Sequence, residues 1–193
     1  MLRRPDAVDR SRDAALEGME GVAPLPSKDT ARSLGSRAAQ QADHAFMERL
    51  RGQHMAAKLA GIVARMRHCG PPVRFMGRGM CEPIGTGPAD FQGQFTRAYG
   101  SKSIAAEAKS RAGRLAFNDI PAHQVEDLDA CADEGGCALL LYEHRDGSRV
   151  TPYAIPWRRV PWVTLRTAKS IGPEECAGWE FWPCYLQRFA RAS

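Results

Sequence analysis

Between Gln41 and His68 the apolar residues Phe46, Leu50, Leu59, Ile62, Val63 and Met66 recur at spacings of three and four or close to them, which predicts a helix. Gly52 and Gly61 weaken it, and Gly70-Pro71-Pro72 ends it. Residues 1–38 mix charges with Ala, Gly, Ser and Pro and have no sustained apolar face, so they read as a disordered or loosely helical arm. Val73–Met76 is a candidate short strand, and residues 77–88 are rich in glycine and proline, as in a loop. Ala89–Thr96 reads as a strand, Tyr99-Gly100-Ser101 as a turn, and Ser103–Lys109 as the returning strand of a hairpin. Asn118-Asp119-Ile120-Pro121 marks a helix start, with Asn118 or Asp119 as cap. That helix is expected to run to about Glu134. Its buried side is Val125, Leu128, Cys131 and Ala132, and Glu126, Asp127, Asp129 and Asp133 lie mostly on the wet side.

Gly135-Gly136 stops the second helix, and Cys137–Tyr142 is a continuous apolar run, the pattern of a strand covered on both faces. Asp146-Gly147 turns the chain into Arg149–Ile155, an edge strand because Pro152 has no N–H to give. Pro156-Trp157 closes it. The order helix, three strands, helix, two strands predicts an α/β layer with one mixed central sheet flanked by helices, over residues 39–165. Residues 166–193 form a tail whose aromatic cluster, Trp179-Glu180-Phe181-Trp182-Pro183, is expected to dock on the body or on a second subunit.

Charge changes the picture more than composition does. The formal charge of +5 is mild, but residues 41–120 carry 12 Lys/Arg against 6 Asp/Glu. A central basic surplus suits a polyanionic partner such as DNA, and a solvated basic face is the competing reading. The six cysteines include no Cys-x-x-Cys pair, so no zinc site is expected and a reducing compartment is. Met-Leu-Arg-Arg-Pro-Asp has no apolar stretch behind its basic residues, and no run approaches the ~18 apolar residues of a membrane span. A soluble, cytoplasmic protein without membrane contact is expected.

Candidate chemistry centres on Ala106-Glu107-Ala108-Lys109-Ser110. In a strand, residues i and i+2 share a face, so Glu107 and Lys109 project into one space and Ala108 turns away. Asp90 sits where a loop enters the preceding hairpin strand, so two carboxylates from adjacent strands can approach one hard cation. Magnesium takes oxygen ligands and is held by one or two carboxylates plus substrate phosphate. Lys109 would orient or deprotonate the attacking water, or neutralise phosphoryl oxygens. The competing reading is a structural ion pair.

Five blocks occur in order: Gly87-Pro88-Ala89-Asp90-Phe91, Ala106-Glu107-Ala108-Lys109-Ser110, Ile120-Pro121-Ala122-His123-Gln124, Gly135-Gly136-Cys137-Ala138-Leu139-Leu140-Leu141 and Tyr153-Ala154-Ile155-Pro156-Trp157. Over about residues 44–160 this series resembles the RecU-type Holliday junction resolvases of phages and prophages, within the PD-(D/E)xK nuclease superfamily. The resemblance implies a restriction-endonuclease-like fold, a homodimer, Mg²⁺ (with Mn²⁺ as substitute), and cleavage of branched double-stranded DNA in recombination and repair. It implies Asp90, Glu107, Lys109, Gln124 and Glu48 as catalytic residues, and Asp90, Glu107 and Ala108 as the metal set. The family's stalk, which enters the junction, falls at residues 74–87, short and glycine-rich here. The family often has a hydroxyl residue near its first-strand aspartate, where this chain has Pro88-Ala89 with Thr86 earlier.

Arg74, Arg78, Lys102, Arg111 and Arg114 are candidate phosphate contacts, together with Arg65 and Arg67. Glu48 has a solvent-facing reading beside the catalytic one, and Gln124 a purely helix-capping one. Another nuclease of the superfamily, cutting flaps, ends or duplex DNA, is one alternative. A catalytically inactive DNA-binding relative and a structural protein using its C-terminal aromatics are two more.

Overall fold

The computed structural model describes residues 28–70, 73–77, 80–83, 87–160, 169–181 and 184–191. Its contacts divide the chain between Arg37 and Ala38, and all the packing described below lies within residues 38–193. The elements, in chain order, are α1 (Lys28–Leu59), β1 (Val63–His68), β2 (Val73–Gly77), β3 (Met80–Pro83), β4 (Phe91–Phe95), β5 (Ser103–Arg111), β6 (Leu115–Ala116), α2 (Ala122–Asp133), β7 (Cys137–Asp146), β8 (Arg149–Pro156), β9 (Ser170–Ile171) and α3 (Tyr185–Arg191).

A mixed five-stranded sheet of order β1-β4-β5-β7-β8 forms the centre, and β5 and β7 are its parallel pair. A parallel pair requires a crossover, which α2 supplies. The other neighbours, β1–β4, β4–β5 and β7–β8, are antiparallel. Among the described residues β2 and β3 pair only with each other, and β6 pairs with β9.

Alternation along β7 shows why its sequence reads as one apolar run. Leu139 and Leu141 belong to a cluster with Phe46 and Leu50 of α1, Phe91 and Phe95 of β4, and Tyr185 and Leu186 of α3. Ala138, Leu140 and Tyr142 point the other way, into a cluster with Leu128 and Cys131 of α2 and with Trp157. Each fully buried Leu contributes roughly 1.5–3 kcal/mol to burial, so both faces of this strand anchor the layer.

Several expectations need correcting. The first helix begins at Lys28, which fits the loosely helical alternative for that part of the arm, and ends at Leu59 rather than about His68. Gly61 takes a left-handed φ of 68° there, a conformation that ends helices, and Val63–His68 becomes an edge strand. Apolar spacing at Ile62, Val63 and Met66 is helical, and a register shift between Val63 and Arg65 is what brings Val63 and Met66 to one core from a strand. Part of the 77–88 loop is strand β3. Pro121, not Asn118 or Asp119, precedes α2, and the Asp119 carboxylate instead accepts the Ala116 N–H at 3.2 Å. Of the two alternatives for the C-terminal segment the structure shows docking on the body: Phe181, Tyr185, Leu186 and Phe189 are in the first core cluster. Trp182 and Pro183 lie outside the described residues, as do residues 1–27 of the expected arm. Among the described residues no helix is long and apolar enough to cross a membrane.

Candidate active site

The β4–β5 hairpin brings the acids together. Phe91 pairs with Ala106, so Asp90 lies one step further, beside Glu107. The Asp90 N–H donates to Glu107 Oε2 at 3.2 Å, and Asp90 Oδ2 accepts the Ala108 N–H at 3.0 Å. Three further contacts clamp this point. Asp90's carbonyl accepts the Cys69 N–H at 2.7 Å from the end of β1. Next to it, the N–H of the fully buried Ala89 donates to Asp127 Oδ2 of α2 at 2.9 Å. Lys109 pairs with Glu107 Oε1 from the same face of β5.

Glu107 is 0 % exposed. Burial and then the neighbouring charge of Asp90 push its carboxyl up from 4.5 to about 7, against the opposing pull of Lys109. Burial that disfavours the ionised form, with a second carboxylate alongside, is an environment a cation would relieve. Asp90, Glu107 and the Ala108 backbone carbonyl are the groups that could hold one. Among the described residues no group of three or more His, Cys, Asp or Glu is placed to hold a metal ion. A two-carboxylate set is the kind that suits Mg²⁺, which keeps several waters and takes substrate phosphate as ligand.

Beside these groups lies a cavity of about 250 Å³, lined by Asp90 and Ala108–Arg111 and, from α1, by Asp43, Phe46 and Met47. Asp43 Oδ1 is buried without a hydrogen-bond partner. Glu48 is not on this wall: its half-exposed carboxylate pairs with Arg51 and stands 4.0 Å from His44. The helical phase explains the difference. Asp43 is three and four residues before the inward Phe46 and Met47, whereas Glu48 is two past Phe46, about 200° round. Asp127 escaped sequence reasoning for a related reason. The pattern puts it and Asp129 mostly on the wet side of α2, yet Asp129 accepts the Trp157 Nε1–H at 2.8 Å and Asp127 holds Ala89. An excess of acids on one helix carries no signal of which ones turn inward.

Gln124 is nearly buried, and its Oε1 has no partner. It precedes Asp127 by three residues, hence lies on the same side of α2. Of the expected phosphate contacts, Arg111 lines the cavity, and its Nε lies 3.3 Å from Asp119. Arg114 is engaged by Glu174 and Glu175. Lys102 lies before the start of β5, roughly 20 Å along the strand from Lys109, and lines a different cavity together with Trp157 and Phe189. Arg78 lies outside the described residues, with Thr86, and Arg74 is placed by its backbone opposite Glu82.

No protein-family model matches the chain, and a search of curated proteins finds no match.

Proposed function

We propose that this chain is a divalent-metal-dependent endonuclease of the PD-(D/E)xK type, RecU-like, that cuts DNA at four-way junctions as a homodimer in recombination and repair. The observation that carries the reading is the convergence of Asp90, Glu107 and Lys109 on one hairpin, with the Asp90 N–H bonded to the Glu107 carboxylate and Lys109 paired with it. The architecture supports it: acid-bearing antiparallel strands, then a helix, then a strand parallel to the second, as in restriction-endonuclease-like cores. The separate β2–β3 hairpin falls between β1 and β4, where the resemblance puts the stalk.

A Mg²⁺ or Mn²⁺ ion held there would acidify a water and offset charge on the phosphoryl oxygens. The chain's own part is positional and electrostatic. Asp90 and Glu107 supply negative charge from two strands fixed by backbone hydrogen bonds. Lys109, 16 % exposed in its side chain, is the cation nearest that charge and can turn toward a phosphate or the attacking water. Gln124 offers a buried amide oxygen to orient a water. Asp43 adds a third carboxylate at the cavity wall, in the part the resemblance gave to Glu48.

A second reading, cleavage of flaps or linear duplex by the same site, draws on the size of the β2–β3 hairpin, with strands of 5 and 4 residues. Comparing synthetic four-way junctions, flaps and linear duplexes in Mg²⁺ separates the two. The proposal expects junction cleavage by the wild type and its loss in Asp90→Asn and Lys109→Ala. Equal cleavage by all three proteins removes the active-site assignment.

A further inference from the structure

On one face of the central sheet, β1 and β4 carry polar residues where a buried layer would be apolar. α2 packs on β5 and β7. Between α2 and the strands β1 and β4 is a cavity of about 420 Å³, whose lining includes Arg65, Arg67, Gln92, Ser103, Asp127 and Glu134. Strand alternation accounts for it. Phe91 and Phe95 turn to the α1 side and are buried, so Gln92 and Gln94 turn to this one. In register, Arg67 stands opposite Gln92 and Arg65 opposite Gln94. Arg67 Nη2 donates to Gln92 Oε1 at 3.0 Å, and Gln94 donates to the Ser101 carbonyl at 3.0 Å.

We infer that this strip, Arg65 and Arg67 with Gln92 and Gln94, is the track on which a DNA backbone lies as it enters the Asp90–Glu107 site; the inference rests on the endonuclease reading. Three observations favour it. Gln92 is two residues after Asp90, so the strip begins about 7 Å along the chain from it. Arg65 and Arg67 are exposed, and among the described residues no carboxylate pairs with either. β1 is the sheet edge, which leaves the strip open to a long polymer. The opposite wall carries Asp127 and Glu134, and their charge keeps phosphates over β1 rather than against α2.

The test is fluorescence anisotropy of a labelled four-way junction, in EDTA to prevent cleavage, across a salt series. Each phosphate contact contributes about 0.9 to the slope of log K against log salt, so Arg65→Ala/Arg67→Ala should flatten it by about 2. Arg65→Lys/Arg67→Lys should restore it, and Arg149→Ala, on β8 at the other edge, should leave it unchanged. An unchanged slope in the double alanine variant overturns the track and leaves the endonuclease reading standing. Absence of salt-dependent binding by the wild type overturns that reading and the track with it. If light scattering shows that the double alanine variant loses a dimer the wild type forms, the β1 edge is a contact between two copies, and the track is likewise overturned.

Discussion

Replacing Glu107 by glutamine should make the metal-free protein more stable at neutral and alkaline pH. A carboxyl raised from 4.5 to about 7 by burial and by Asp90 holds its proton more tightly in the folded state than in the unfolded one. The folded protein is therefore favoured most below about pH 4.5 and loses stability as the pH rises through about 7. At about 1.4 kcal/mol per tenfold change in proton affinity, the ionised form costs about 3 kcal/mol above that range. Glutamine removes this cost while keeping one oxygen for the Asp90 N–H. It weakens the bond to Lys109, a loss of about 1 kcal/mol for a partly exposed partner that can turn to water. The net gain at pH 8 is about 2 kcal/mol, or about 4–8 °C in Tm for a domain of this size. Thermal melts by circular dichroism in EDTA, from pH 4.5 to 8.5, measure it. The gain should shrink and vanish toward the acid end, where the wild-type carboxyl is also neutral. A pH-independent difference, or a glutamine variant less stable at pH 8, refutes the reasoning.

Asp127→Ala releases the Ala89 N–H and loosens the entry to Asp90, so the Mg²⁺ concentration for half-maximal cleavage should rise about tenfold, as outer-shell losses do, while Asp127→Asn, which keeps an acceptor, stays near wild type. Asp43→Ala should lower kcat/KM at least tenfold, whereas Glu48→Ala, outside the cavity wall, should change it less than threefold; steady-state junction cleavage reads both. Gly93→Ala would set its Cβ 2.4 Å from Met66 Sδ and 2.6 Å from the Arg65 carbonyl, and the backbone side of that clash cannot swing away. It should cost about 1–3 kcal/mol in urea unfolding, with β1 and β4 pushed apart.

The parts of this molecule legible in the sequence are those where one physical signal dominates. Cys137–Tyr142 could hardly be anything but a strand covered on both faces, and Leu139–Leu141 are all fully buried. The hairpin at Ser103 was readable because a glycine-containing turn separates two short segments, and the registered pairs are Gln94–Ser103 to Phe91–Ala106. Glu107 and Lys109 followed from the two-residue period of a strand alone. Signals that compete were not legible. Ile62, Val63 and Met66 have a helical spacing, and the strand that holds them needs a left-handed Gly61 before it and a register shift between Val63 and Arg65, neither of which the pattern shows. Helix α1 offers Asp43 and Glu48 as acids, and choosing between them needs the phase set by tertiary packing of Phe46 and Met47. The inward roles of Asp127 and Asp129 depend on partners 38 and 28 residues distant in the chain, which no local pattern encodes.

Isothermal titration of Mn²⁺ into the apoprotein bears most directly on whether Asp90 and Glu107 form a cation site. The wild type should bind at pH 7.5 with affinity that falls toward pH 6, as Glu107 regains its proton, and Asp90→Asn and Glu107→Gln should each bind at least tenfold more weakly. A wild type that takes up no Mn²⁺, or variants that bind it equally well, would contradict the proposed metal-dependent nuclease.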